Sequence, residues 1–272
     1  MQPMPRLRDP QLEELLERDG YVVVENFLTR DEVSQLQQLF RAHDLPAHHS
    51  AFGVTMFSTD VQGRTAVDRG IREVTAPHAE RLMNGYRYCF SNFLVKEPQR
   101  AGSAGEVQLH QDFSFVDESR FQSLGIWTAL VDTNAVNGCL QVIPGSHRLN
   151  PAPRAAGFPY PYREMDALLA KKLRLVPMHA GDAMIFCQKL FHASSPNRSD
   201  ATRLATGGLF VPQPAQLYCY YRNPSAASRV DVFEVDDQFY TRHPHGTPPQ
   251  GVPRVSELEY WYAPISHEQL AS

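Results

Sequence analysis

The chain has 272 residues, of which 42% are hydrophobic and 21% charged, a composition typical of a globular protein that can bury one sizeable core. Its net charge of −4 and its lack of a basic tract argue against nucleic acid as a principal partner, because phosphate binding needs clustered Lys and Arg. No segment approaches the ~18 apolar residues of a membrane span, which also argues against a membrane partner.

Cysteine usage and the first residues predict the compartment. The four cysteines are scattered and form no Cys-x-x-Cys pair, so neither a disulfide scaffold nor a zinc site of the usual spacing is expected. Residues 1–10 contain no apolar run of the kind found in signal peptides. We therefore expect a soluble cytoplasmic protein, as a monomer or homodimer.

The first part of the chain mixes helical and irregular patterns. Residues 9–18 carry leucines on one helical face, and 21–27 form a β-branched run typical of a strand. A capping-box pattern at 29–32 predicts a helix through about residue 41. From 43 to 77 the pattern weakens and glycines recur, which predicts an irregular lid or substrate loop.

After this region the period of the apolar residues turns to two, which is typical of strands separated by turns. The predicted strands are 86–96, 107–115, 123–131, 139–143, 172–176, 183–187, 204–211 and 231–235. So many strands with few intervening helices indicate a mainly β fold with flanking helices, of the jelly-roll type. We expect a single domain over 1–272, with a helical and irregular N-terminal part (about 1–80), a jelly-roll core (about 84–212) and a C-terminal extension or lid (about 213–272).

The triplet His110-Gln111-Asp112, followed 80 residues later by His192, is a candidate metal site. Two imidazoles and one carboxylate can hold iron(II) on one face and leave positions open. Residues i and i+2 of a strand point to the same side, so His110 and Asp112 can share one metal. Alone, the triplet is a weak signal, since such spacing often arises by chance.

A second candidate feature follows His192. A strand, a polar turn and a returning strand predict a hairpin that brings Arg203 back beside His192, with Ser194 on the same face as His192. A guanidinium grips a carboxylate in two places and a hydroxyl adds a directed hydrogen bond, which suits the far end of a dicarboxylate. A solvated surface Arg is the alternative, but the apolar run after Arg203 favours a half-buried strand.

Three segments carry a resemblance to a known family: HQD, NGCLQVIPGSH and GDAMIFCQKLFHASSPNRSDATR. Together they resemble the phytanoyl-CoA dioxygenase family of iron(II)/2-oxoglutarate oxygenases, and DGYVVVENFLTRDEV is similar to the opening segment of that family. The resemblance runs from about Asp19 to Val211. His147 in the second segment could ligate a metal, but a turn position is the favoured interpretation.

The resemblance implies a double-stranded β-helix (jelly roll, cupin-like) with iron(II) at His110, Asp112 and His192. It also implies that Arg203 binds the far carboxylate of the cosubstrate 2-oxoglutarate. Further positions match cosubstrate-contacting or neighbouring positions of the family: Ser194, Trp127, Gln108, Asn92 and Lys96. Asn92 departs from the apolar residue common there, and Lys96 could be structural or binding.

The activity that the resemblance implies is oxidation of a substrate C–H bond by O₂, with 2-oxoglutarate converted to succinate and CO₂. Asp112 argues against halogenation, because halogenases of this superfamily replace the carboxylate ligand by a small residue. Hydroxylation is therefore favoured, with desaturation or cyclisation left open.

Several alternatives remain for the substrate and the reaction class. No CoA-binding patch is evident, which favours a small metabolite or natural-product intermediate of secondary metabolism, with an acyl-CoA as the alternative. Phe113 and Phe115 are candidate pocket residues, although a core role is favoured because on a regular strand they would face away from the metal. A cupin-like metal-dependent isomerase or hydrolase, or a silent binding module, would share the barrel without needing Arg203 and Ser194.

Overall fold

The protein is described by a computed structural model that covers residues 4–43, 51–100, 105–155, 162–222, 228–262, 264–266 and 269. The helices are α1 (Pro10–Asp19), α2 (Arg30–Ala42), α3 (Val61–Leu82), α4 (Asp166–Ala170) and α5 (Phe239–Arg242). The first strands are β1 (Tyr21–Val24), β2 (Phe52–Val54), β3 (Tyr86–Lys96), β4 (Val107–His110), β5 (Leu124–Ala129), β6 (Leu140–Val142) and β7 (Arg174–Val176). The remaining strands are β8 (Ala183–Cys187), β9 (His192–Ser194), β10 (Arg203–Pro212), β11 (Leu217–Arg222), β12 (Arg229–Val235) and β13 (Arg254–Glu259).

Two antiparallel sheets face each other and form a double-stranded β-helix. The larger sheet has the order β1-β8-β5-β10-β3-β2 and the smaller one β4-β9-β6-β7. Trp127 and Met184 of the larger sheet pack with Leu140 and Val142 of the smaller sheet in one buried cluster. The apolar layer between the sheets is therefore the inside of the barrel, which confirms the predicted jelly roll.

The N-terminal helices cover the outer face of the larger sheet. Leu16 of α1, Leu36 of α2 and Ile71 of α3 share a buried cluster with Ile126 and Ile185 of the sheet. The capping box predicted for α2 is present, since Thr29 and Glu32 exchange hydrogen bonds at its start. Among the described residues, no helix is long and apolar enough to cross a membrane.

The expected irregular stretch between 43 and 77 is wrong over its second half, where the 22-residue helix α3 begins at Val61. Asp60 caps this helix by accepting a hydrogen bond from the Gly63 amide. Gly70, read as a sign of irregularity, instead permits close packing, because a Cβ there would lie 2.6 Å from Leu39 of α2. Residues 44–50 of the stretch lie outside the described residues.

The predicted hairpin after His192 is also wrong. Strand β9 pairs with β4 and β6 in the smaller sheet, whereas β10 pairs with β3 and β5 in the larger sheet. The polar turn therefore carries the chain from one sheet to the other. His192 and Arg203 approach the barrel interior from opposite walls.

A third sheet of three strands, β11-β12-β13, follows the barrel. It is attached to the segment after the metal-site triplet, because Tyr218 donates a backbone hydrogen bond to Phe115 (2.8 Å) and the Tyr220 hydroxyl donates to the Val116 carbonyl (3.0 Å). The predicted C-terminal strand at 231–235 is thus part of a small sheet beside the site.

Candidate active site

The structure brings His110, Asp112 and His192 together. Their ligand atoms all lie within 4.8 Å of one another, a spacing that one metal ion could bridge. Oδ1 of Asp112 is 3.7 Å from Nε2 of His110 and 3.8 Å from Nε2 of His192. The two histidines are direct partners across strands β4 and β9, which explains how positions so distant in sequence meet.

Backbone carbonyls fix both imidazoles in the form that a metal requires. Nδ1 of His110 lies 2.8 Å from the carbonyl oxygen of Gln108, and Nδ1 of His192 lies 3.0 Å from that of Leu190. A carbonyl can only accept, so each Nδ1 carries the proton and each Nε2 presents its lone pair. Burial and the neighbouring His192 lower the pKa of His110 to about 4, which keeps this ring neutral at physiological pH.

Asp112 does not lie on the same strand as His110. Strand β4 ends at His110, and Asp112 follows in a segment held by its own backbone contacts. Its amide donates to the carbonyl of Gln188 (3.1 Å), and its carbonyl accepts from Nε of Arg154 (2.5 Å). Arg154 is itself fixed by a largely buried ion pair with Glu118 (2.6 Å). Placement of the carboxylate thus depends on long-range contacts rather than on strand alternation.

Two buried cations lie side by side on the larger sheet. Arg203 and Lys96 are paired residues of β10 and β3, and their side chains are 1% and 0% exposed. Among the described residues, neither forms an ion pair with a carboxylate. Uncompensated buried charges are costly, so two adjacent ones indicate a binding site for an anion.

Arg203 retains unused hydrogen-bonding capacity. Its Nη1 donates to the Gly138 carbonyl (3.2 Å), but its buried Nε has no partner among the described residues. Its guanidinium carbon lies 5.2 Å from the ring centroid of Trp127, which supports the charge through a cation–π contact. Burial lowers the pKa of Arg203 to about 10, which still leaves it cationic at neutral pH.

Ser194 is engaged by Lys96. The Lys96 ammonium donates to the Ser194 hydroxyl oxygen (2.6 Å) and to the carbonyls of Ser194 (3.2 Å) and Ser195 (2.6 Å). Burial and the nearby Arg203 nevertheless lower the pKa of Lys96 to about 7. The Ser194 hydroxyl oxygen therefore already accepts a hydrogen bond. The hydroxyl hydrogen remains available for donation to a ligand.

Asn92 and Gln108 are placed very differently. Asn92 is buried on β3, on the same strand face as Leu94 and Lys96. In the part of the chain that the structure describes, its Oδ1 has no hydrogen-bond partner. Gln108 is exposed, and it contributes to the site through its backbone carbonyl, which orients His110. Asn92 thus joins the buried end of the site and the Gln108 side chain does not.

The segment after Asp112 differs from the regular strand expected there. Phe113, Ser114 and Phe115 all line one cavity, together with Tyr220 and Tyr240 from the C-terminal part. Phe115 also packs against the Tyr240 ring (5.1 Å between centroids), so its predicted core role and its pocket role coexist. An alternation argument fails here because the chain is not extended as a strand.

His147 is not part of the metal-binding group of the described residues. Its side chain is buried in a turn against Gly20, where an added Cβ would lie only 2.4 Å from Nδ1. Burial lowers the pKa of His147 to about 4. The turn position favoured from the sequence matches this placement.

Two groups that position Asp112 escaped the sequence analysis, namely Arg154 and Gln188. Nothing in the sequence marks Arg154, because its partner Glu118 and its target Asp112 are distant along the chain. Gln188 carries no sequence signal either, because it follows the last residue of β8, Cys187, and strand alternation does not extend into the turn.

Comparisons with known proteins agree with this architecture. The family model for phytanoyl-CoA dioxygenase matches residues 16–205. The mouse protein phytanoyl-CoA dioxygenase domain-containing protein 1 is 33% identical over 123 residues, 42% of this chain and 41% of the mouse protein. Dioxygenase trt7 of Aspergillus terreus is 24% identical over 229 residues, 76% of this chain and 75% of the fungal protein. The matched part thus spans about two fifths of the length of the mouse relative.

Solved structures share the fold at low sequence identity. The non-heme alpha-ketoglutarate-dependent epimerase SnoN from nogalamycin biosynthesis superimposes with a TM-score of 0.56 at 21% identity, covering 95% of this chain and 93% of SnoN. HygX from Streptomyces hygroscopicus, solved with nickel and 2-oxoglutarate bound, gives a TM-score of 0.54 at 16% identity, covering 80% of this chain and 91% of HygX. The family match extends over more than half of the chain, so the protein belongs to the phytanoyl-CoA dioxygenase family.

Proposed function

We propose that the protein is an iron(II)- and 2-oxoglutarate-dependent dioxygenase that hydroxylates a small molecule. The observation that carries the proposal is the pairing of a His-Asp-His group on one wall of the barrel with two unpaired buried cations on the other. A metal isomerase or hydrolase needs the first feature but does not require the second.

The donor set fits iron(II). Two neutral imidazoles and one carboxylate are the facial set typical of non-haem iron(II) oxygenases, and they leave positions open for other ligands. Nε2 of His110, Nε2 of His192 and Oδ1 of Asp112 would hold the ion.

The cation pair fits the far carboxylate of 2-oxoglutarate. The free Nε of Arg203 and the ammonium of Lys96 would neutralise it, and the Ser194 hydroxyl would donate a hydrogen bond. Trp127 would hold the guanidinium from its ring face, and Asn92 would line the same end of the site. Gln108 would contribute only through its carbonyl.

When bound, iron(II) and 2-oxoglutarate supply the oxidising chemistry, in which O₂ and 2-oxoglutarate give succinate, CO₂ and an oxidised C–H bond. The protein's own residues bind the two groups and hold the imidazoles neutral. The apolar layer around Trp127, Leu140 and Met184 excludes water from the space between the sheets.

We further propose that residues 1–272 form a single domain whose C-terminal part, about 213–272, acts as a lid. The substrate would enter under this lid, beside Phe113 and Phe115. The cavity there is lined by aromatic side chains of both the triplet segment and the C-terminal part, including Tyr220 and Tyr240. Such a lining favours a compact molecule with an apolar or ring-containing body over a thioester whose recognition needs many cations. A small metabolite or natural-product intermediate fits this description.

Anaerobic titration with iron(II) and 2-oxoglutarate tests the cofactor assignment. We expect a visible charge-transfer band in the wild type and at least about 30-fold weaker 2-oxoglutarate binding in Arg203→Met, because truncating one partner of a buried charge pair costs about 2–5 kcal/mol. The matched control is Arg198→Met, which changes an exposed arginine in the turn before β10.

A wild-type protein with no band and no 2-oxoglutarate binding would contradict the proposal and favour the isomerase or hydrolase. Substrate screening by succinate release then identifies the substrate, and activity confined to acyl-CoA thioesters would overturn the small-metabolite assignment. Incorporation of oxygen from ¹⁸O₂ into the product separates hydroxylation from epimerisation or ring closure.

A further inference from the structure

The second oxygen of Asp112 has a partner of its own. With the amide of Gln188 oriented so that both of its ends are satisfied, Nε2 donates to Oδ2 of Asp112 (2.6 Å) and Oε1 accepts from the Gly125 amide (3.2 Å). The same glutamine accepts from the Asp112 amide through its backbone carbonyl (3.1 Å). Gln188 therefore forms hydrogen bonds with both the main chain and the side chain of Asp112.

We infer that Gln188 is a positioning residue for the metal centre, which restricts Asp112 to binding through Oδ1 alone; this inference rests on the proposed function. Oδ1 is the oxygen that faces both histidines, at 3.7 and 3.8 Å from their Nε2 atoms. A carboxylate that is free to turn can bind a metal through both oxygens. A donor fixed on Oδ2 opposes that turn and keeps one more position open for another ligand.

The glutamine is itself held firmly enough for this role. It is 5% exposed, and its backbone amide donates to the Ser123 carbonyl (3.3 Å). Gly125 supplies the amide that fixes Oε1, and a Cβ at Gly125 would lie 2.9 Å from the Gln188 side chain and 2.5 Å from the Phe186 ring. A glycine at this position leaves room for both side chains.

The end of β8 thereby supports two of the three proposed ligands. The Phe186 ring packs edge-on against the His192 ring, with 5.5 Å between centroids, while Gln188 holds Asp112. Both residues project from the same side of the larger sheet, whereas the ligands belong to the smaller sheet and the segment after it. The larger sheet thus contributes to the metal centre although it carries none of the proposed ligands.

The test uses Gln188→Met, which keeps the length of the side chain and removes its amide. Co(II) is titrated into the full-length protein without oxygen, and we expect the affinity to fall about 10- to 100-fold, the range for losing a group that orients a metal ligand. We also expect the visible spectrum of the Co(II)-loaded protein to change, because Asp112 is free to bind through both oxygens. The matched control is Gln122→Met, which removes a nearby half-buried glutamine amide that donates to Cys187 and does not touch Asp112.

The spectrum separates positioning from a structural role. A structural residue would lower the melting temperature and leave the Co(II) spectrum of the remaining folded protein unchanged, which would overturn the inference. Wild-type affinity and spectrum in Gln188→Met would overturn it as well. If Gln188→Met does not fold, Gln188→Asn replaces it, since its amide is one methylene too short to reach both partners and the same two readouts apply.

Failure of the proposed function gives a different result. If the wild type binds no Co(II), the metal assignment itself fails. If the wild type binds Co(II) and Gln188→Met binds it equally well with the same spectrum, only the role of Gln188 fails.

Discussion

The two ends of the site differ in how completely their polar groups are satisfied. At the metal end, each imidazole has a carbonyl partner and Asp112 is held at its amide, its carbonyl and its second oxygen. At the cation end, the Nε of Arg203 and the Oδ1 of Asn92 are buried and have no hydrogen-bond partner within the described ranges. The protein's own groups thus preorganise the metal end, whereas they leave a buried donor and a buried acceptor unsatisfied at the cation end.

The largest effect should come from removing a ligand at the metal end. Asp112→Ala should weaken Co(II) binding by more than the 10- to 100-fold typical of losing a supporting group, because a ligand itself is lost. Isothermal titration of the folded variant measures this, with Asp117→Ala as the control, whose carboxylate bonds to Ser119 instead. Unchanged Co(II) affinity in Asp112→Ala would show that the metal end lies elsewhere.

The buried Lys96 ammonium at the cation end should make the free energy of unfolding depend on pH. The pKa of Lys96 is about 7 in the folded state against an ordinary value of 10.5, so between these pH values the unfolded chain binds more protons. The free energy of unfolding contributed by this group therefore rises with pH across that window, by at most about 1.4 kcal/mol per pH unit. Lys96→Met should flatten the rise in denaturant unfolding measured at pH 7, 8 and 9 without 2-oxoglutarate.

A second variant tests whether this pH effect belongs to the cation end. Asp112→Ala, which affects only the metal end, should keep the wild-type pH dependence. If the unfolding free energies of Lys96→Met and the wild type change equally with pH, burial does not lower the pKa of Lys96. The cation end would then be no less well stabilised by the protein than the metal end.

The smallest effect is expected at Gln108. Its side chain is exposed, and His110 is oriented by its backbone carbonyl, which Gln108→Ala retains. Co(II) and 2-oxoglutarate affinities should stay within about twofold of the wild type, as is usual for surface substitutions worth less than about 0.5 kcal/mol. A tenfold loss of either affinity would place the Gln108 side chain in the site.

The sequence predicts the barrel and the metal group well, because both depend on local signals. Alternating apolar residues predict strands such as β3 and β8 with their observed bounds, and two histidines and one aspartate at the family's spacing identify the metal group. Strand pairing is a long-range property, and this is why the hairpin after His192 was wrong. Only the pairing of β10 with β3 shows that Arg203 lies beside Lys96.

Helix α3 was missed for a different reason. Its buried residues Val67, Ile71 and Val74 do follow a helical spacing, but Gly63, Gly70 and Pro77 argue for a loop when intrinsic preference alone is weighed. Packing of Gly70 against α2 outweighs that preference. The contact becomes visible only when both helices are placed on the sheet.

Because the chain crosses from one sheet to the other between β9 and β10, the proposed site would select the carbon-chain length of its cosubstrate. His192 sits on one sheet and Arg203 on the other, so the gap between metal and guanidinium is set by the packing of two sheets, which in proteins lie about 10 Å apart. If the cosubstrate binds as proposed, a 2-oxo acid that chelates the metal would reach Arg203 only when its carbon backbone matches that gap. Shortening the diacid by one methylene, as in oxaloacetate, or lengthening it by one, as in 2-oxoadipate, would leave one end without its partner.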